Sequence, residues 1–199
     1  RDRVSARAGV NGAPVFSPDG RQLALTLSQD QGNIDIYVLD LATLVLTRLT
    51  EHSAIDTEAT WSSDGESILF TSDRAGGPQV YRVPARAGAR AQRVTFEGNY
   101  NGRPRISPDG NQLAVVHRVQ GNYRIALVDP DTGLTQVLST GQLDESPSFA
   151  PNGALIIYAA QENGRGVLAS VSTDGRIHQQ IASVAGQVRE PVWSPFPRI

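Results

Sequence analysis

The side chains of this chain that could do chemistry are few, and most recur at fixed intervals. Asp19, Asp64 and Asp109, with Asn152 in the same place, form a row that acid–base catalysis could use. Each is followed by glycine and stands between two strand-like runs. There an Asx side chain bonds nearby backbone and glycine accepts positive φ, so the row is read as turn residues. His52, His117 and His178 would make a metal site only if they converged, with their second ring nitrogens held by other groups. They fall at different phases of the repeat described below, and no shared metal is expected. Crowded carboxylates at Glu58, Asp144, Glu145 and Glu190 could attract calcium, but calcium takes about 6–8 converging oxygens, and no cofactor is expected. Cysteine is absent, which excludes disulfides, zinc thiolates and a thiol nucleophile. There is no Gly-x-Ser-x-Gly elbow, Gly-rich phosphate loop or His-Glu-x-x-His pair, so the chain is not expected to be an enzyme.

What positions these residues is an internal repeat. The stretch from Asn11 to Gly20 ends in Phe16-Ser17-Pro18-Asp19-Gly20, and it returns at Thr57 to Gly65, Asn101 to Gly110 and Glu145 to Gly153, with a last partial copy from Glu190 to Phe196. The anchor residues Phe16, Trp61, Ile106, Phe149 and Trp193 stand 45, 45, 43 and 44 residues apart. A fixed period of that size marks an array of supersecondary units, none of which can bury its apolar face alone. The aromatic anchors could suggest a stacking platform, but their equal spacing assigns them to packing between neighbouring units.

Each period reads as four strands with no helical periodicity. In the first these are Ala13 to Phe16, Gln22 to Leu27, Ile34 to Leu39 and Thr47 to Thr50, with a polar loop from Ser28 to Asn33. The second continues with Ser67 to Thr71, Gln79 to Val83 and Gln92 to Thr95; the third with Gln112 to Val116, Tyr123 to Val128 and Thr135 to Leu138; the fourth with Ala154 to Ala159, Val167 to Val171 and Ile177 to Ile181. The fold class is therefore all-β, a β-propeller of four-stranded antiparallel blades repeating about every 44 residues. A sandwich, the competing all-β arrangement, would impose no constant period. The repeats run approximately 10–54, 55–99, 100–142 and 143–186, with 187–199 starting a further blade and Val4 to Gly9 a piece of another. A ring must close to remove its edges, so the chain reads as about four blades of a larger ring. It opens on Arg1-Asp2-Arg3 without an initiator Met, which reads as a mature or truncated product.

Composition excludes several classes of function. The chain is 39% hydrophobic and 19% charged, with net charge −2 and pI near 5.9. The basic residues do not cluster, so neither nucleic acid nor an anionic membrane surface is an expected partner. No apolar run approaches transmembrane length, and no membrane insertion is expected. The informative positions are those just before each anchor, on the connection into each first strand: Val10, Asn11 and Ala13; Asp56, Thr57 and Glu58; Tyr100, Asn101 and Arg103; Asp144, Glu145 and Ser146; Arg189 and Glu190. They are expected to ring one mouth of the propeller channel. Unlike the turns they differ in charge and size between copies, as where loops carry recognition, and they are the expected partner-binding residues. Tyr100 is the expected buried anchor, with Glu58, Glu145 and Arg103 tuning encounter and selectivity.

The Phe-Ser-Pro-Asp-Gly turn and the Ile34-Asp35-Ile36-Tyr37-Val38-Leu39-Asp40-Leu41 strand resemble the TolB-like propeller repeats. Thr57 to Trp61, Phe70-Thr71-Ser72-Asp73, Pro78-Gln79-Val80-Tyr81, Leu143 to Ser148, Val171 to Arg176 and Trp193-Ser194-Pro195 are similar to the C-terminal propeller of that family, and the resemblance covers essentially the whole chain. It implies a six-bladed ring preceded by a smaller α/β domain, and a non-catalytic periplasmic scaffold of the Tol-Pal system of Gram-negative envelopes. The implied partners are the peptidoglycan-associated lipoprotein Pal, other Tol proteins through an N-terminal region, and bacteriocin segments inserted at the propeller mouth. The family's lipoprotein-contacting positions match Val10, Ala13, Thr57 and Glu58, with Val10 where the resemblance implies histidine. Similar repeats also form the substrate-gating propeller of prolyl-oligopeptidase-like serine peptidases, whose chemistry lies on a separate hydrolase domain. A metal-dependent sugar lyase on a propeller is a further alternative, which the scattered histidines argue against.

Overall fold

The computed structural model describes residues 9–29 and 32–194. Within them sixteen strands and no helix form four antiparallel sheets, each keeping chain order. The first sheet holds β1 (Asn11–Phe16), β2 (Gln22–Gln29), β3 (Asn33–Asp40) and β4 (Leu46–Arg48). The second holds β5 (Asp56–Trp61), β6 (Ser67–Ser72), β7 (Gln79–Pro84) and β8 (Gln92–Arg93). The third comprises β9 (Asn101–Ile106), β10 (Leu113–Val119), β11 (Asn122–Val128) and β12 (Thr135–Val137), and the fourth β13 (Asp144–Phe149), β14 (Leu155–Glu162), β15 (Arg165–Ser172) and β16 (His178–Val184). These are the expected blades. The expected strand over 4–9 lies, apart from Gly9, outside the described residues, as do residues 30 and 31 of the Ser28 to Asn33 loop and the Pro195-Phe196 end of the last copy. Residues 191–194 carry no strand: no described neighbour offers them a ladder.

The turns follow from local chemistry. Ser17 Oγ donates to Asp19 Oδ1 at 2.6 Å and accepts the Gln22 N–H at 2.9 Å, while Asp19 Oδ1 also accepts the Arg21 N–H at 3.0 Å. Ser62 with Asp64 and Ser107 with Asp109 repeat the pattern. These bonds, the serine hydroxyl's foremost, hold the three carboxyls below the usual range. The glycine that follows takes φ of 71°, 74° and 81° in turn, open to it for want of a Cβ. In the fourth sheet Ala150 replaces the serine, and Asn152 Oδ1 accepts only the Ala154 N–H.

The chain divides into two compact units, Arg1–Val94 and Thr95–Ile199. In the first, Ala24, Ile36 and Val38 of one sheet pack on Ala59, Trp61, Ile68, Phe70, Tyr81 and Val83 of the other. Phe70 is fully buried and contributes about 1.5–3 kcal/mol by leaving water. In the second unit, Ala114, Val116, Ile125 and Leu127 pack on Ile156, Tyr158, Val167, Ala169 and Val171. The middle strands are thus covered on both faces, as β6 shows with every residue buried.

Of the anchors, Trp61 is buried and its Nε1–H donates to the Val15 carbonyl at 3.1 Å, which ties the second sheet to the first. Ile106, Phe149 and Trp193 are half-buried. Phe16 departs from expectation at 64% exposed. The first sheet covers Trp61, and no described sheet precedes β1 to cover Phe16 in the same way.

Candidate functional site

Each sheet's first strand breaks register with its second at the same place: between Gly12 and Val15, Thr57 and Thr60, Gly102 and Arg105, and Glu145 and Ser148. One residue at each break is a non-glycine in the left-handed region, namely Ala13 (φ 47°), Glu58 (57°), Arg103 (53°) and Ser146 (54°). Glu190 (47°) takes the same conformation one period further on. An L-residue there costs about 1–2 kcal/mol, a strain that the surrounding ladder must hold. These β-bulges correct the expectation of loops. Asn11, Ala13, Thr57, Glu58, Asn101, Arg103, Asp144, Glu145 and Ser146 all lie inside first strands, because the ladder resumes on the far side of each bulge. Val10 and Tyr100 directly precede strands, and Arg189 and Glu190 lie in a strand-free stretch after β16.

In the first unit, Val10, Asn11 and Ala13 are exposed, and the Val10 N–H donates to Ser28 Oγ at 2.8 Å. Thr57 and Glu58 are half-buried, and Thr71 Oγ1 donates to Glu58 Oε2 at 2.8 Å, which fixes the carboxylate at the end of its strand pair. Asp56, two residues earlier, is wholly buried: Arg74 Nη2 reaches Oδ1 at 2.9 Å and Oδ2 at 2.7 Å. The Arg74 guanidinium lies 5.3 Å from the Phe70 ring centroid and 4.7 Å from that of Tyr81. A second buried carboxylate, Asp35, meets Arg48 Nη2 at 2.6 Å, and burial raises its pKa against the pull of Arg48. His52 is exposed and accepts the Ala54 N–H through Nδ1.

In the second unit Asn101, Asp144 and Ser146, also expected on the rim, are buried. Asn101 donates through Nδ2 to the Glu97 carbonyl at 2.8 Å, so its Oδ1 accepts from His117 Nδ1, also at 2.8 Å. The imidazole therefore carries its proton on Nδ1, and burial lowers its pKa, with the charge of Glu97 pulling the other way. Asp144 Oδ2 accepts the Ser139 hydroxyl at 2.5 Å and the Gly141 N–H at 3.0 Å, and desolvation still raises its pKa. The expected exposure was wrong at Asp56, Asn101, Asp144 and Ser146 for one reason: partners elsewhere in the chain satisfy them, so polarity is no sign of exposure. Tyr100 is half-buried and packs edge-on against Tyr123, the ring centroids 5.1 Å apart. Glu145 is half-buried and Arg189 exposed, the latter donating through Nε to Gln187 Oε1 at 2.8 Å. His178 is exposed, its Nε2 3.1 Å from the Gly175 carbonyl, so the three histidines have three unrelated sets of partners.

What the second unit brings together is three of these left-handed residues. Arg103 Nη1 donates to Ser146 Oγ at 2.5 Å and to Glu190 Oε1 at 2.7 Å, and Ser146 Oγ lies 3.2 Å from the same carboxylate oxygen. They flank an open cavity of about 340 Å³. The expected rim already grouped Arg103, Ser146 and Glu190, but their left-handed backbone was not legible, because nothing in Ala, Glu, Arg or Ser announces positive φ. Only their spacing of 45, 45, 43 and 44 residues could have flagged positions 13, 58, 103, 146 and 190. Among the described residues no three His, Asp or Glu side chains are placed to hold a metal ion, and the clusters above are ion pairs and hydrogen-bonded anchors.

Residues 1–197 match the TolB beta propeller domain family. Over 114 residues the chain is 52% identical to the Tol-Pal system protein TolB of Xylella fastidiosa (strain M12), an alignment covering 56% of this chain and 26% of that protein. It is 54% identical over 114 residues to the Tol-Pal system protein TolB of Xanthomonas oryzae pv. oryzae (strain PXO99A), with the same 56% and 26% coverage. The crystal structure of TolB from Acinetobacter baumannii is similar with a TM-score of 0.88 at 46% identity, over 96% of this chain and 48% of that one. A Mycobacterium tuberculosis puromycin-hydrolyzing peptidase is similar at 18% identity and a TM-score of 0.71, over 90% of this chain and 29% of that one, a likeness of fold alone. The matched stretch is thus well under two thirds of each relative's length. With four four-stranded blades and a family match across nearly its whole length, the chain belongs to the TolB β-propeller domain family.

Proposed function

We propose that this chain is the propeller part of a non-catalytic periplasmic scaffold of the Tol-Pal system. Its bulge residues receive the folded domain of the lipoprotein Pal, and through Pal it supports outer-membrane integrity and envelope constriction at division. The observation that carries the reading is the row of strained, non-glycine bulge residues. The backbone conformation repeats at Ala13, Glu58, Arg103 and Ser146, while the side chain changes from methyl to carboxylate to guanidinium to hydroxyl. Strain held at a position whose chemistry differs in every copy fits recognition better than packing. The names of the relatives supply the system. Affinity comes from half-buried groups such as Tyr100 and Thr57, and the charges of Glu58, Arg103 and Glu145 set encounter rate and selectivity. Bacteriocin segments would use the same bulge side chains. The peptidase-gate alternative retains only a likeness of fold.

Calorimetric titration of this chain with the soluble domain of Pal tests the reading, with Glu58→Lys as the variant. Saturable binding is expected for the wild type, with Kd raised roughly ten-fold in the variant. Equal affinities would remove Glu58 from the site, and no binding by well-folded wild-type chain would overturn the assignment of the partner to these sheets.

A further inference from the structure

The repeat lets two sheets be compared place by place. In the second sheet Asp56, Phe70 and Arg74 stand five residues before, nine after and thirteen after the anchor Trp61; in the fourth, Asp144, Tyr158 and Glu162 stand at the same distances from Phe149. The ladders agree: Trp61 pairs with Ile68 as Phe149 does with Ile156, and Phe70 lies opposite Tyr81 as Tyr158 lies opposite Ala169. The second sheet holds a buried carboxylate, two stacked rings and a guanidinium that serves both, Arg74 bonding Asp56 from over the faces of Phe70 and Tyr81. The fourth keeps the carboxylate and one ring. Its cation is replaced by a second carboxylate, and its other ring by the methyl of Ala169. What those exchanges leave is a cavity of about 230 Å³, lined by Tyr158, Glu162, Val167, Ala169 and His178, with Thr140 from the loop after β12. It shares no residue with the cavity flanked by the bulge residues. Tyr158 is only 7% exposed, yet its hydroxyl has no hydrogen-bond partner among the described residues, and Glu162 has no ion pair there. Burial, and then the charges of Asp144 and Glu162, push the phenol pKa up to about 12, so the hydroxyl stays protonated beside two carboxylates. Arg124 of the third sheet does not take the part of Arg74: its Nε donates to the Gly141 carbonyl at 3.3 Å, and burial raises the Asp144 pKa in spite of its charge. A guanidinium suits what remains. A flat cation can lie on the Tyr158 ring and donate to the phenol oxygen and the Glu162 carboxylate, while Val167 and Ala169 take its stem.

We infer that this cavity is a guanidinium-binding site, which takes from outside the cation that the second sheet carries as Arg74. The group arrives on an arginine side chain of a partner protein or on a free guanidino compound, and the recognition chemistry is the same. The inference goes beyond the scaffold reading and does not depend on it.

The test uses the full chain, with acetyl-Ala-Arg-Ala-amide and butylguanidinium as probes of the two sources and acetyl-Ala-Gln-Ala-amide and butylammonium as controls. Binding is followed through the ring shifts of Tyr158. Saturable binding of both guanidinium probes is expected, with Kd on the order of 1 mM because the carboxylate side of the site is screened by solvent. A peptide that binds more tightly than butylguanidinium assigns the group to a partner's arginine; the opposite order assigns it to a free compound. Glu162→Gln keeps size and should weaken binding about two- to five-fold, the ordinary worth of an exposed ion pair. Two variants rebuild the second sheet: Ala169→Tyr refills the space and Glu162→Arg supplies the cation, and each should remove binding. Thermal melts check that each is folded, and if Ala169→Tyr is not, the two substitutions at the exposed Glu162 decide. Binding by Glu162→Arg as tight as wild type overturns the inference. So does a wild-type chain that binds neither guanidinium probe, or that binds butylammonium or the glutamine peptide as tightly as their guanidinium counterparts.

Discussion

Replacing Asp56 by asparagine removes one charge from a carboxylate that is fully buried, two residues before a bulge whose side chain reaches solvent. Asp56 accepts Arg74 Nη2 at 2.9 and 2.7 Å, and Arg74 is itself only 15% exposed. Deleting one partner of a buried pair typically destabilises by about 3–5 kcal/mol, because the other is left charged and unpaired. Two features of this site lower the figure. Asparagine keeps one acceptor oxygen, and Arg74 retains Ser72 Oγ at 2.9 Å and the faces of Phe70 and Tyr81. What is lost is the difference between a charged and a neutral acceptor, about 2–3 kcal/mol. For a chain of this size that lowers Tm by roughly 4–12 °C. Thermal melts and urea titrations of Asp56→Asn and Glu58→Lys, each with the lipoprotein titration, give the full comparison. Asp56→Asn should melt low and, below its Tm, bind like wild type. Glu58→Lys loses the Thr71 bond, about 0.5–1.5 kcal/mol, and should melt within a few degrees of wild type but bind weakly. A Tm for Asp56→Asn within about 2 °C of wild type, or lost binding at unchanged Tm, would refute the reasoning and put Asp56 on the binding surface.

Two further predictions address the second unit. Burial holds the His117 pKa below its ordinary value of 6.5, so folded chains hold that proton less tightly than unfolded ones. Stability should fall as pH drops below about 6.5 and level off beneath the folded pKa; His117→Asn, which still offers an N–H to Asn101, should show a flatter curve between about pH 7.5 and 5.5. Equal slopes in urea titrations would clear His117 as the cause. Gly166→Ala brings a Cβ to 2.6 Å from both the Gly186 carbonyl and the Val188 nitrogen, which are backbone and must shift. It should break the Gly166–Gly186 hydrogen bond and lower Tm; an unchanged Tm would show that the stretch after β16 yields without cost.

The strands and turns were legible because their signals are local. Gln22 to Leu27 alternates within one segment, Ser17-Pro18-Asp19-Gly20 closes its own hydrogen bonds, and the anchor spacing counts the sheets. The candidate site was legible only in outline, because what fixes it is not local. Asp56 looks like a rim residue until Arg74 is found 18 positions away, and Asn101 until His117 is found 16 away. Glu58 and Arg103 carry no mark of a left-handed backbone, which the ladder on either side imposes over their own preference. Phe16 shows the converse limit: its type and spacing are those of Trp61, yet coverage depends on a neighbouring sheet that its own residues do not specify. The bulge reconciles these outcomes. It lets one short strand keep a buried anchor at Asp56, Asn101 or Asp144 and set a left-handed residue two places later, Glu58, Arg103 or Ser146, of which Arg103 and Ser146 meet across their strands. On the proposed scaffold reading, recognition falls on about one strained position per sheet, and charge changes there should alter binding while the same changes two residues earlier alter stability.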